Sequence, residues 1–336
     1  MNRKLLVTIL QYIVFLGLGV AIIFYMSSQL SDEQKNSMMA AIQGVRIWLL
    51  VPIFIAGFLS HYVRALRWKL LLQEVDICPS TTNTTFAVLI GYITNLVLPR
   101  AGEVAKCTVL ARYEKVPADK MIGTIVAERA FDVLCLLIIT FTAFLLQADV
   151  IGDYATDLLG KVSEKTNVFV FVLIAGLLMI VTLVLVYRRF RDSKIGKFIK
   201  GLSDGVKSIL NLKTRGKFII YTILLWGLYW ILVWIGFWSM DELDHLSGSC
   251  ALVVLVFGSI GMIATQGGIG AYPYLVGKIL LFYNIAEAHG LAFGWVSWTV
   301  QTGIVVVLGV ISLILLPIYN NNRANAKASV DTKQDS

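Results

Sequence analysis

Charged residues are scarce in this chain of 336 residues. Asp, Glu, Lys and Arg make up only 15% of it, whereas 57% of the residues are hydrophobic and the mean hydropathy is +0.77. Soluble domains carry about 25% charged residues, because their surfaces face water. The composition therefore excludes a soluble domain, and the long apolar runs predict an all-α polytopic membrane protein.

Cysteine and histidine are also few, at four and three residues. The cysteines are widely separated, with no CxxC pair and no histidine beside them, and the histidines form no ligand set. These residues are Cys78, Cys107, Cys135, Cys250, His61, His245 and His289. The pattern indicates neither a disulfide framework nor a zinc site, and the sequence predicts no metal, no cofactor and no enzyme activity.

The net charge of +8 has one local source. Residues 188–217 contain ten Lys or Arg against Asp192 and Asp204, which equals the whole excess. Such a segment is typical of a cytoplasmic loop, so the charge does not indicate a nucleic-acid partner. Its apolar residues recur at helical spacing from Ile195 to Leu210 and predict an amphipathic helix that lies on anionic lipid headgroups.

An irregular stretch at residues 83–132 departs from simple spans. As a helix, Asn83 to Leu98 would be roughly 24 Å long, which is short of the ~30 Å hydrocarbon core, and Pro99 ends it. A short charged helix follows before the chain becomes apolar again. If residues 83–98 crossed the membrane, the basic segment would be external, against the positive-inside rule. The sequence therefore predicts a re-entrant hairpin that enters and leaves on the cytoplasmic side.

A second broken element lies near the C-terminal end. The apolar run from Ser249 to Thr265 is followed by a glycine-rich break and by Tyr274 to Tyr283, which would be only about 15 Å long as a helix. This pattern predicts a second hairpin, which dips from outside. The two hairpins are accompanied by about six full spans, near residues 5–26, 47–66, 121–146, 167–187, 218–238 and 291–317.

This order gives the second half the opposite orientation to the first. Inverted repeats with paired broken helices are common in secondary transporters, where substrate binds near the midplane. The predicted organisation is one integral membrane domain at residues 1–318 of the cytoplasmic membrane, with both termini cytoplasmic and a disordered polar tail at 319–336. Arg64, Arg67 and Lys69 beside Trp68 are interpreted as a basic inner end of the second span.

The first break has two interpretations. In the first, Asn95, Pro99, Gly102 and Glu103 form a capped turn in which Pro99 and Gly102 act as hinges. In the second, Arg100 and Lys106 hold an anionic group together with a helix N-terminus.

The following span carries Glu128, Arg129 and Asp132 on one side of a helix. They form either a structural ion pair or a substrate contact. With Glu103 their net charge is minus two, so the group shares a proton, recruits Arg100 and Lys106, or awaits a cationic headgroup.

The glycines of the second break, Gly267, Gly268 and Gly270, do not form a P-loop, because no Lys-Ser or Lys-Thr follows. They indicate close backbone packing or N–H groups that face an anionic headgroup. The polar side chains of Gln266, Tyr272 and Gln301 need partners in apolar surroundings and favour a cavity near them, with Pro273 as a further hinge.

Four segments resemble the lysylphosphatidylglycerol synthase transmembrane region family, which contains flippase-like integral membrane proteins. They are HYVRALRWKLLL, GYITNLVLPRAGEVAKCTVLAR, VPADKMIGTIVAERAFDVLCLL and ATQGGIGAYPYL. The similarity runs from about Tyr12 to Pro317, and its most specific parts are Asn95-x3-Pro99-x2-Gly102-Glu103 and Glu128-Arg129-x2-Asp132. The chain departs from the family at Thr265-Gln266, where a proline is common, and at Tyr272-Pro273-Tyr274, which replaces an acidic residue.

The resemblance implies a translocase-like module without the soluble aminoacyl transferase domain of the full-length synthase. The expected function is movement of a phospholipid or a polyprenyl-phosphate-linked lipid between leaflets. Two alternatives stay open: a transferase that uses Glu103 or Glu128 as general base, and a scaffold for a glycosyltransferase or lipid-synthesis enzyme. No nucleophile and base pair, metal cluster or nucleotide loop supports the transferase.

Overall fold

A computed structural model of the chain describes residues 3–98, 101–147 and 194–334. These residues form helices joined by short turns, and no strand occurs among them. The all-α prediction is therefore confirmed. Pro99 and Arg100, the predicted span at 167–187 and the start of the basic segment lie outside the described residues.

Eleven α-helices occupy the described part of the chain. They are α1 (Arg3–Gln29), α2 (Asp32–Gln43), α3 (Leu50–Gln73), α4 (Thr81–Val97), α5 (Gly102–Glu114), α6 (Ala118–Leu146), α7 (Lys194–Leu210), α8 (Arg215–Phe237), α9 (Gly248–Ala264), α10 (Ala271–Leu280) and α11 (Glu287–Gln334). Single 3₁₀ turns at Ile47–Leu49, Gln266–Gly268 and Leu281–Tyr283 connect some of them.

Four stretches of the described residues are helical, long and apolar enough to cross a membrane. They are Ile47–Gln73, Ala118–Leu146, Arg215–Phe237 and Glu287–Ala326, which correspond to α3 with its leading turn, α6, α8 and most of α11. These confirm a polytopic membrane protein. The count of six spans and the inverted symmetry stay predictions.

Helices α4 and α5 form the first hairpin, and their bounds follow from local sequence. The Ser80 hydroxyl accepts a hydrogen bond from the Asn83 N–H and caps the start of α4. At the other end, the Asn95 side-chain oxygen accepts a hydrogen bond of 2.7 Å from the Gly102 N–H at the start of α5. The two arms touch where Gly91 faces Gly102, and a Cβ on Gly91 would lie 2.9 Å from the Gly102 carbonyl oxygen. We call this pair of helices the inner hairpin.

Gly102→Ala is expected to destabilise the protein, because the added methyl group would overlap the Gly91 carbonyl oxygen and the Asn95 side chain. Overpacking of this kind typically costs about 1–3 kcal/mol. Gly123→Ala in α6 is the matched control, since a Cβ there meets no atom within 4 Å. Thermal unfolding in detergent should show a lower Tm for the first variant alone, and equal Tm values would contradict the tight contact.

Helices α9 and α10 form the second hairpin, which we call the outer hairpin. Its break is possible because Gly267, Gly268 and Gly270 have φ values of +60°, +75° and +72°, a backbone region that glycine adopts without strain. At its tip, the Gln266 side-chain amide donates a hydrogen bond to the carbonyl oxygen of Asn95 in the inner hairpin. The two broken elements predicted from the sequence therefore meet tip to tip.

Helix α11 contacts both hairpins along its length. The Trp298 indole N–H donates a hydrogen bond of 2.8 Å to the Gly267 carbonyl oxygen of the outer hairpin. Further along α11, Gly309 packs directly against Ile93 of α4, where a Cβ on the glycine would lie 2.6 Å from the isoleucine side chain. Any relative movement of the hairpins must therefore involve this helix.

The polar tail from residue 319 continues α11 as a helix to Gln334, so the prediction of a disordered tail is wrong for this part. The side-chain amides of Asn320 and Asn83 hydrogen-bond each other at 2.8 and 3.0 Å. Arg323 lies 3.1 Å from Glu114, which also accepts a hydrogen bond from Asn83. These polar residues keep the helix ordered because they find partners at the base of the inner hairpin.

The stability of the protein is expected to depend on pH through Glu114. Burial opposes its ionisation, but hydrogen bonds from Asn83 and Ser80 and the charge of Arg323 outweigh burial and lower the pKa of Glu114. A depressed folded-state pKa contributes stability above the ordinary value of 4.5 that is lost as pH falls through the lowered value. The Tm difference between wild type and Glu114→Gln should therefore be positive at pH 7 and shrink below pH 4.5. Glu33→Gln, at an exposed site in α2, is the control, and a difference independent of pH would contradict the assignment.

Helix α7 carries the predicted amphipathic pattern, and its C-terminal end packs against α6. Gly205 lies against Ala127 and Ala130 of α6, and Ile209 and Leu212 are buried in the protein core. This end of α7 therefore contributes apolar contacts to α6, and the close approach at Gly205 leaves no room for a side chain. Contact of α7 with lipid headgroups stays a prediction.

Candidate functional site

Seven charged side chains from three helices meet beside the inner hairpin. They are Arg64 and Arg67 of α3, Glu103 and Lys106 of α5, and Glu128, Arg129 and Asp132 of α6. Residues three or four apart on a helix lie on one side, so each helix presents its members together. We call this group the charge cluster.

Glu128 is the centre of the charge cluster and is fully buried. One of its oxygens, Oε1, accepts hydrogen bonds from Arg64 at 3.2 Å and Arg67 at 3.1 Å. The other, Oε2, accepts from Lys106 at 3.1 Å. Three cations from two other helices thus hold one carboxylate of α6. This part of the cluster fastens α3, α5 and α6 together.

Asp132, one turn further along α6, repeats the contact with α3. It accepts hydrogen bonds from Arg67 at 2.7 Å and Arg64 at 3.0 Å. The second terminal nitrogen of Arg64 donates to the Tyr229 hydroxyl of α8 at 2.9 Å. Charge-assisted bonds of this kind are the stronger class, and here most of them are shielded from solvent.

Aromatic side chains cover the buried part of the charge cluster. The Lys106 ammonium lies 4.3 Å from the Trp68 ring, and the Arg67 guanidinium lies 5.4 Å from the Phe218 ring. Trp68 is fully buried, and its indole N–H donates to Thr124 at 3.0 Å. Cation–π contacts compensate part of the hydration that these cations lose.

The structure corrects the interpretation of Arg64, Arg67 and Trp68. The sequence indicates a basic inner end of the second span with an interfacial aromatic, but α3 continues to Gln73 and these side chains are buried against α6. The sequence therefore missed two members of the site. The signal that could have found them is the net charge of minus two on Glu103, Glu128, Arg129 and Asp132, because buried acids require cations.

The full charge cluster has four basic and three acidic side chains, a net charge of +1 with all groups ionised. Of the three alternatives for the acidic group, the structure shows recruitment of Lys106, together with the two arginines of α3. The four basic side chains of the described cluster are sufficient to balance its three acids. Arg100, the other expected cation, lies outside the described residues.

Arg129 lies at the solvent-accessible edge of the charge cluster. Its side chain is 43% exposed, its terminal nitrogens are 3.6 Å from Glu103 and 3.9 Å from Asp132, and its Nε has no hydrogen-bond partner among the described residues. These distances exceed ordinary hydrogen bonds. The sequence is compatible with an ion pair or a substrate contact for both Glu128 and Arg129, but the structure gives the two side chains different environments. Both oxygens of Glu128 already accept hydrogen bonds from cations, whereas the terminal N–H groups of Arg129 have no short contact with an acid and can bind an anion.

The remaining predicted polar site residues form two hydrogen-bonded pairs. Gln266 bonds to Asn95 where the two hairpin tips meet, and the side-chain amide of Gln301 in α11 donates to the Tyr272 hydroxyl at 3.1 Å. Close packing accounts for three further positions. They are Gly268 against Met262, Gly270 against Gly19, and Pro273 against Gly294.

The fold and the site define a multi-pass helical membrane protein with two broken hairpins in contact and a buried charge cluster beside one of them. The family model for the lysylphosphatidylglycerol synthase TM region matches residues 9–309, so the chain belongs to this family. No curated protein and no solved structure matches the chain. Membership makes it a membrane protein related to lipid metabolism or lipid movement.

Proposed function

We propose that the protein moves a lipid with an anionic headgroup between the leaflets of the cytoplasmic membrane. A phospholipid and a polyprenyl phosphate both fit this description. The observation that carries the proposal is Arg129, whose side chain is 43% exposed and whose ion-pair contacts with Glu103 and Asp132 are no closer than 3.6 Å, at the edge of a cluster of net charge +1. A guanidinium holds a phosphate through two parallel hydrogen bonds.

The hairpins supply the pathway in this proposal. The described tips meet through the bond between Gln266 and Asn95 and through Gly267 beside Leu96, a contact with few interactions to break. With both termini in the cytoplasm, opening of the inner hairpin would admit a headgroup from the cytoplasmic leaflet, and opening of the outer hairpin would release it outside. Broken helices that meet at the membrane centre are used in this way by secondary transporters.

Electrostatics favour an anionic headgroup. Transfer of an unpaired charge into a medium of low dielectric is costly, and a nearby net positive charge lowers that cost. The two fully or largely buried acids, Glu128 and Asp132, are already engaged by arginines. Among the three acids of the charge cluster, Glu103 is the most exposed, so a cationic headgroup at the cluster would meet chiefly this one carboxylate.

The test is lipid exchange in vesicles that contain only the purified protein. Fluorescent phosphatidylglycerol is placed in both leaflets, and an impermeant quencher is added outside. Fluorescent phosphatidylcholine, a zwitterionic lipid with no net charge, is measured in parallel for comparison. We expect the protein to expose the inner-leaflet phosphatidylglycerol to the quencher faster than protein-free vesicles do. Equal rates with and without protein, for this lipid and for a short polyprenyl phosphate, would overturn the proposal.

The two alternatives make different predictions in the same assay. A transferase would need a second substrate, and Glu128 is a poor general base because three cations hold its carboxylate. A scaffold would move no lipid until a lipid-synthesis enzyme is present. Exchange by the pure protein alone therefore separates translocation from both.

A further inference from the structure

His61 is a buried polar residue that the charge cluster does not use. It lies on α3, one turn before Arg64, and is only 8% exposed. Its Nδ1 is buried and has no hydrogen-bond partner among the residues that the structure describes. Most buried polar groups in folded proteins are hydrogen-bonded, so an exception calls for an explanation.

The surroundings of His61 place it between the charge cluster and the hairpin tips. Its ring lies 4.6 Å from the ring of Tyr92 in α4, at an angle of 57°. Tyr92 also lies beside the Arg64 guanidinium, at 5.9 Å from its ring centre. One turn further along α4 is Asn95, which receives the hydrogen bond from the outer hairpin.

His61 of α3 and Tyr92 of α4 therefore lie side by side next to the charge cluster, and α4 continues from Tyr92 to the contact between the hairpin tips. A neutral imidazole has one N–H donor and one acceptor, so it can donate to a phosphate oxygen without adding a charge. A packing role alone would not need the nitrogens, because phenylalanine has a similar ring and no polar group to leave unpaired.

We propose that His61 is a headgroup-binding residue, which donates a hydrogen bond to the phosphate of the lipid as it passes between the charge cluster and the hairpin tips. The ligand class is a phosphate monoester or diester on a lipid. This inference rests on the proposed function, because it assigns a contact within the same pathway. It adds a binding position on α3 that faces α4.

The first test is His61→Phe in the vesicle assay, with thermal unfolding measured on the same preparation. We expect exchange of fluorescent phosphatidylglycerol to fall about tenfold, as for loss of one hydrogen bond to a charged group. The Tm should stay equal to that of wild type or rise, since an unpaired buried polar atom is removed. His61→Gln, which keeps a donor, should retain most of the exchange. His245→Phe, at an exposed site on the loop before α9, is the control.

The outcomes separate this inference from the proposed function. If wild type moves no lipid, the proposed function is wrong. If wild type and His61→Phe move lipid at the same rate, only the role of His61 is wrong.

A second measurement does not depend on folding of the Phe variant. The side-chain ¹⁵N signal that disappears in His61→Gln should shift in the wild-type protein when phosphatidylglycerol is added to micelles of an uncharged detergent that contains no phosphate. An unshifted signal would overturn the assignment.

Discussion

Glu128→Gln is expected to lower the Tm more than any other single substitution in the charge cluster. The change would leave Arg64, Arg67 and Lys106 buried without the carboxylate that now accepts from all three. Removal of one partner from a buried ion pair typically costs about 3–5 kcal/mol. For a chain of this size, we expect a decrease in Tm on the order of 10 °C in detergent.

Two further variants test whether the loss of stability in Glu128→Gln arises from the charge cluster. Asp119→Asn removes an exposed acid from the first turn of the same helix and should change the Tm by roughly 1–2 °C at most. Adding Lys106→Met to Glu128→Gln returns the charge cluster to its original net charge and should recover part of the lost stability. If Glu128→Gln and Asp119→Asn unfold at the same temperature, Glu128 does not hold the three helices together.

Arg129→Gln should have the opposite signature, a large loss of lipid exchange with an almost unchanged Tm. The guanidinium makes no contact closer than 3.6 Å to an acid of the charge cluster, so its removal costs little stability. A hydrogen bond to a charged group contributes about 1.5–3 kcal/mol, which corresponds to roughly a 10- to 100-fold change in rate. Arg112→Gln, at an exposed site on α5 outside the charge cluster, removes the same charge and should leave exchange unchanged.

The variant Arg129→Lys tests the geometry of the contact rather than its charge. Lysine retains the positive charge but cannot make two parallel hydrogen bonds to one phosphate. We expect an exchange rate between those of wild type and Arg129→Gln. Wild-type rates in both Arg129 variants would show that this side chain does not bind the headgroup.

The hairpins were predictable because they depend on local sequence. The first arm was expected at Asn83 to Leu98 and is found at Thr81–Val97, since a serine cap starts it and the chain breaks before Pro99. The continuation of α11 beyond residue 318 was not predictable in this way. Its polar residues are ordered by partners at Asn83 and Glu114, more than 200 positions away in the chain.

The acids of the charge cluster were predictable, but their roles were not. Helical spacing placed Glu128, Arg129 and Asp132 on one side of α6, yet it could not show which of them is buried and which lies at the edge. Arg64 and Arg67 were missed because the positive-inside rule already explains basic residues near the end of a span. Only the packing of α3 against α6 shows that these arginines serve as counter-ions.

The folded end of α11 affects how the protein can be tagged and shortened. Asn320 and Arg323 belong to the base of the inner hairpin, because their partners are Asn83 and Glu114. A purification tag that replaced the chain after Pro317 would remove these partners and expose a buried asparagine. If such a shortened protein is inactive, the loss of these contacts at the base of the inner hairpin explains the result, and it gives no information on lipid selectivity. Affinity tags are therefore best attached after Ser336.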